Sequence, residues 1–136
     1  MKIRKVSIIL FYDNNGNFLL QDRREFDRRK YGEEFGFFGG KIEGDETPEQ
    51  ALLREIREEL NIELKSYKFF KKYTQEIREF DKIIEKNMFI GEMPDLRQIK
   101  CSEGKPIVVK SEDALKLKMI PGDNIIIKDL SNLKSF

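Results

Sequence analysis

The run from Gly40 to Ile62, GKIEGDETPEQALLREIREELNI, constrains this chain more than any other stretch. It encodes a helix with both ends marked. Thr47 can serve as the N-cap, Pro48 takes the first helical position, and Gln50 completes a Thr-x-x-Gln capping box. Asn61 stands where the helix should stop, and asparagine is second only to glycine as a left-handed C-cap. Leu53, Ile56 and Leu60 form an apolar stripe expected to pack on a core. Glu55, Glu58 and Glu59 fall on a different arc, because a helix turns about 100° per residue. Carboxylates stacked in this way repel one another by roughly a few tenths of a kcal/mol per pair. A hard divalent cation converts that repulsion into binding, since Mg²⁺ prefers carboxylate oxygens and bridges protein to phosphates.

The rest of the chain sets the frame for that helix. A length of 136 residues predicts one domain, 1–136, with a single core. The net charge is only +1 although 38% of residues are charged, so no global field marks a binder of nucleic-acid polymers. Any anionic ligand must therefore be held by a local cluster. Cys101 is the only cysteine, which excludes an internal disulfide and fits a reducing, cytoplasmic setting. The N-terminal apolar run is too short to span a membrane and lacks a signal-peptide cleavage pattern. With no histidine, acid–base chemistry near neutral pH falls to carboxylates, lysine, tyrosine or metal-bound water.

Residues Val6 to Tyr12 read as a buried strand, and the Asp13–Asn17 stretch with its Asn-Gly pair reads as a hairpin returning through Phe18 to Gln21. Arg23 to Lys30 is charged and irregular, and Phe35 to Gly40 reads as a short strand running into a glycine turn. Tyr67 to Tyr73 and Ile83 to Ile90 predict two more strands, joined either by a polar loop over 74–82 or by a continuing ladder. Ile107 to Val109 predicts a short strand, and Ser111 to Lys118 a helix capped by Ser111. Asp123 to Leu133 follows Pro121-Gly122 as a helix or an apolar strand.

Gly40, Glu46, Arg54, Glu55, Ile56, Glu58, Glu59 and Ile62 resemble, position by position, the signature box of the Nudix hydrolases. The one departure is Asn61 in place of the last glycine, and both residues can adopt the left-handed conformation. The resemblance implies a Nudix-type α/β/α sandwich with a mixed sheet. It further implies that Glu55, Glu58 and Glu59 hold Mg²⁺, or Mn²⁺ in its place, helped by the carbonyl of Gly39. Glu55 is also the candidate base for the attacking water. Arg54 would orient the glutamates, with Glu46 paired to the helix or to an arginine. Glu103, in a Glu-Gly pair, is the candidate additional metal carboxylate, with Glu76, Glu79 and Glu85 as competitors. Without the resemblance, the same glutamates would read as a solvated face bridged to Arg54 and Arg57.

Phe37-Phe38-Gly39-Gly40-Lys41-Ile42-Glu43 is similar to the entry of mutT-like nucleoside triphosphate pyrophosphohydrolases, with Phe38 in place of the usual proline. This favours a small nucleotide substrate, a nucleoside triphosphate split to monophosphate and pyrophosphate, with an oxidised purine as one candidate base. The alternatives are ADP-ribose, a nucleotide sugar, a dinucleoside polyphosphate, or a non-catalytic nucleotide sensor. Substrate contacts are expected from Arg23 at a strand end, from Phe37 as a stacking surface, and from Lys41. Arg24, next along, should point to the opposite face. Asp123 and Asn124 resemble the family's base-reading segment, although Asp123 also suits a helix N-cap. Arg28, Arg29 and Lys30 are either a guide for triphosphate or an ordinary surface loop. Family members are often homodimers, and no segment here announces such an interface.

Overall fold

The computed structural model describes residues 1–133. Its elements run β1 (Lys2–Tyr12), β2 (Asn17–Asp22), β3 (Phe35–Gly36), β4 (Phe38–Lys41), α1 (Pro48–Leu60), β5 (Tyr67–Ile77), β6 (Lys82–Glu92), β7 (Lys105–Lys110), α2 (Ser111–Ala114) and α3 (Asp123–Leu130). β1 pairs in parallel with β6 along its whole length, from Lys2↔Lys82 to Tyr12↔Glu92. The other ladders are antiparallel, so the sheet is mixed. The far edge of β1 is shared: Phe11 and Tyr12 pair with β2, while Val6 to Ile9 pair with β4.

Alternation along β1 divides the core in two, because successive strand residues face opposite sides. Ile9 and Phe11 join Leu19, Phe38, Phe89 and the helix residues Leu52, Ile56 and Leu60 on one face. Leu10 and Tyr12 join Phe18, Leu20, Phe37, Met88 and the α3 residues Ile126, Ile127 and Leu130 on the other. Helices therefore cover both faces, which gives the α/β/α sandwich expected from the sequence. Among the described residues no helix is long and apolar enough to cross a membrane.

Several boundaries differ from the sequence reading, each for a packing reason. The buried face of α1 is Ala51, Leu52, Ile56 and Leu60, and Leu53 is only half-buried. The i, i+4, i+8 row of Leu52, Ile56 and Leu60 meets the sheet, and Leu53 lies one step round the helix. The chain between β5 and β6 continues the ladder to Ile77↔Lys82 and turns through Arg78–Phe80. The predicted helix over 111–118 is only α2, and Ser111 does not cap it. The Lys118 carbonyl accepts from the N–H groups of Glu34 and Phe35 at 2.8 and 3.1 Å, which draws the following segment out of helical geometry. Gly39 and Gly40 lie inside β4, paired with Ile8 and Ser7, and do not form a turn. The ambiguity at 123–133 resolves to helix: Ile126, Ile127 and Leu130 are buried at helical spacing while Ile125 is 60% exposed.

The capping box forms as its residues predict. Thr47 Oγ1 accepts from the Gln50 N–H at 3.1 Å, and the Gln50 side chain accepts from the Thr47 N–H at 3.0 Å. Asn61 adopts the left-handed conformation at φ 56°. Thr47→Ala should lower stability by about 1 kcal/mol in a urea unfolding curve, with the slope unchanged.

Candidate active site

The site is assembled where α1 passes under β4. Gly39 has φ 131°, a conformation that disfavours any side chain. Its N–H donates to Glu59 Oε1 at 2.8 Å. Gly40 lies directly against Glu55: a Cβ on Gly40 would come within 2.5 Å of the Glu55 carboxyl carbon. The two glycines thus let two carboxylates of one helix close on a strand backbone.

Burial pushes the Glu59 carboxyl up to about 7; the nearby Glu55 charge adds to this, while the Gly39 hydrogen bond, Arg23 and Gln21 oppose it. A buried carboxylate beside a second one is an arrangement that a divalent cation relieves, and the donor set is the oxygen set such a cation prefers. Glu58 is placed differently: its side chain is 59% exposed and meets Arg54 Nη1 at 3.4 Å. Among the described residues no three acidic, thiol or imidazole groups already converge as a metal cage. Glu55 and Glu59 therefore fit a divalent ion, and Glu58 would complete their set by leaving Arg54.

Arg54 ties the acids together. Its guanidinium donates to Glu46 at 2.7 and 2.9 Å, to Glu55 at 2.9 Å and to the Lys41 carbonyl at 3.0 Å. The Arg54 hydrogen bonds hold the Glu46 carboxyl down to about 2. The same contacts raise the affinity of Arg54 for its proton, so it remains a fixed cation.

On the opposite side of the Gly39–Gly40 strand lies a cleft of about 370 Å³, bordered by Ile8, Arg23, Phe37, Gly39, Gly40, Lys86 and Asp123 among others. Arg23 is fixed in it by bonds to Gln21 at 2.8 Å, Glu33 at 3.2 Å and the Phe37 carbonyl at 3.0 Å. Arg24 points away, pairs with Asp22 at 2.7 Å and lies over the Phe35 ring. Arg4, Arg28 and Lys30 add positive charge to the cleft wall.

The remaining predicted residues are dispersed. Lys41 is exposed at the end of β4 and is not part of the cleft wall. Glu103 is exposed, but its carbonyl accepts from Gln21 Nε2 at 3.2 Å, and the same Nε2 meets Glu59 at 3.4 Å. The Glu103 backbone is thus one side chain, Gln21, away from Glu59, while Glu76 and Glu85 are engaged by Arg78 and Lys72. Asp123 borders the cleft; Gly122 is the helix N-cap, and the Asp123 side chain caps nothing. Asn124 lines a separate groove with Gln75 and Leu117. The sequence reading missed Gln21, Glu33 and Lys86. Only Lys86 left a signal, as a cation inside the apolar strand run Ile83 to Ile90.

A family model described as the NUDIX domain matches residues 1–127. CTP pyrophosphohydrolase of Escherichia coli strain K12 is 32% identical over 101 residues, spanning 73% of this chain and 72% of that protein. The 8-oxo-dGTP diphosphatase of the same organism is 40% identical over 63 residues, 46% of this chain and 48% of that protein. A structure from work on MutT of Aliivibrio salmonicida and Vibrio cholerae superposes with a TM-score of 0.74 at 20% identity, covering 96% of this chain and 98% of that one.

Proposed function

This chain belongs to the Nudix hydrolase family, and from that premise we propose that it is a Mg²⁺-dependent nucleoside triphosphate pyrophosphohydrolase. Nudix hydrolases generally use divalent metals, and the two relatives named above act, by their names, on nucleoside triphosphates. The observation that carries the proposal is the approach of Glu55 and Glu59 to one side of the Gly39–Gly40 strand, with a cationic cleft of about 370 Å³ on the other.

Glu55, Glu58 and Glu59, with the Gly39 carbonyl and Glu103 beside them, would hold the ion. Bound there, it supplies neutralisation of phosphate charge and a more acidic water. The protein's own work is positioning. Arg23, locked by three hydrogen bonds, offers a fixed cation to the polyphosphate at the cleft wall. Arg54 keeps Glu55 oriented, so that Glu55 can accept a proton from the attacking water. Phe37, with Ile8 and Ile84, gives the base an apolar wall. Asp123 is the base-reading acceptor, and Lys41 serves phosphate from outside the cleft.

Incubation with a nucleotide panel and Mg²⁺, resolved by anion exchange, tests this reading. Monophosphate and pyrophosphate in equal amounts are expected from at least one triphosphate. Release of orthophosphate alone, or cleavage confined to ADP-ribose, nucleotide sugars or dinucleoside polyphosphates, would contradict it.

A further inference from the structure

Gln21 lies near the end of β2, 2% exposed, between the arginine of the cleft and a carboxylate of the expected metal set. Its Oε1 accepts from Arg23 Nε at 2.8 Å. Its Nε2 donates to the Glu103 carbonyl at 3.2 Å and to Glu59 Oε2 at 3.4 Å. These partners fix the orientation of the amide. Turned over, it would set N–H against N–H at Arg23 and oxygen against oxygen at Glu59 and Glu103. The other Glu59 oxygen is held by the Gly39 N–H at 2.8 Å. Arg23 is held at its Nη ends by Glu33 and the Phe37 carbonyl. Gly36 makes room for that guanidinium, since a Cβ there would lie 2.3 Å from Arg23 Cζ.

One amide therefore separates two opposite charges that attract each other. Arg23 and Glu59 form no direct ion pair among the described residues, and Arg23 pairs with Glu33 instead. Glu58 shows what direct pairing does: its carboxylate meets Arg54 Nη1 at 3.4 Å and faces away from the other two acids. With the amide gone, Arg23 and Glu59 would close on each other in the same way. That contact would take the guanidinium from phosphate and the carboxylate from the cation. A neutral amide, acceptor at one end and donor at the other, serves both charges without neutralising either.

We propose that Gln21 is a positioning residue whose amide holds Arg23 and Glu59 oriented but apart, so that the guanidinium stays available to phosphate and the carboxylate to the divalent ion. The inference rests on the hydrolase reading above and adds to it a residue that touches neither the ion nor the nucleotide.

The test is Mn²⁺ binding to the full chain without nucleotide at pH 8, followed by the electron paramagnetic resonance signal of the free ion. Gln21→Ala should weaken binding at least ~10-fold, as loss of a residue behind a metal ligand commonly does. Arg23→Met alone should leave binding unchanged or tighter, because it removes a like charge. The double variant should recover the wild-type affinity, because no arginine is left to capture Glu59. Gln21→Met keeps the side-chain volume and should show the same loss and the same recovery where Gln21→Ala does not fold. Wild-type affinity in either folded Gln21 variant would overturn the proposal. So would a double variant as weak as the Gln21 variant alone, which would mark simple packing damage. A wild type that binds no Mn²⁺ would refute the metal reading and this inference together. Absence of pyrophosphate release from a protein that binds Mn²⁺ would refute only the reaction and leave the titration interpretable.

Discussion

Glu59→Gln should cut turnover by on the order of a thousandfold while leaving the domain folded. Glutamine keeps an oxygen for the Gly39 N–H, so the bond at 2.8 Å survives and only the charge is lost. That charge is half of the pair expected to hold the cation, and catalysis at phosphorus depends mainly on positioning and electrostatics. Steady-state kinetics with saturating Mg²⁺ measure the effect, and a wild-type rate would remove Glu59 from the metal set.

The same variant carries a pH signature in chelator. The folded-state value for Glu59 is raised to about 7 from the ordinary 4.5. The folded protein therefore retains a proton that the unfolded chain has released. Its stability contribution is full below the ordinary value and is lost as pH rises through about 7. Metal-free wild type should lose on the order of 2 kcal/mol between pH 5 and pH 8 from this group. Glu59→Gln should lack that component and melt at or above the wild type at pH 8. Parallel melting curves for the two proteins across that range would mean that Glu59 is not desolvated.

Gly39→Ala and Gly40→Ala should fail in opposite ways. A Cβ at Gly39 would lie 2.1 Å from the Ser7 carbonyl oxygen and 2.8 Å from the Ile8 Cα, both backbone atoms of the central strand. Neither can retreat without breaking the β1–β4 ladder, and φ 131° adds strain. Gly39→Ala should cost more than ~4 kcal/mol, and soluble folded protein should be scarce. At Gly40 the clash is with the end of the Glu55 side chain at 2.5 Å, which can swing away. Gly40→Ala should therefore fold near normally and lose activity by displacing Glu55. Thermal melts by circular dichroism, read beside activity, separate the two; equal stability of both variants would contradict this account of the strand.

Helix α1 was legible from end to end because its signals are local. Thr47, Pro48, Gln50 and Asn61 act within one turn of themselves, and the capping box and left-handed end form as those residues require. The grouping of Glu55 and Glu59 followed from helical periodicity. The glycine pair was legible as a motif but not as a strand, because pairing with Ser7 and Ile8 depends on residues more than thirty positions away. The outward turn of Glu58 was not legible either, since Arg54 has several acids in reach and only packing selects among them.

The sequence by itself determined which helix carries the acids and where it starts and stops. Those are short-range matters of cap chemistry and periodicity. Only the tertiary structure decided that Lys86 would meet Asp123 across 37 residues at a cleft floor, and that Asn124, one position on, would face another groove. Such meetings depend on how β6 and α3 pack on opposite sides of a chain reversal, and no local propensity records that distance.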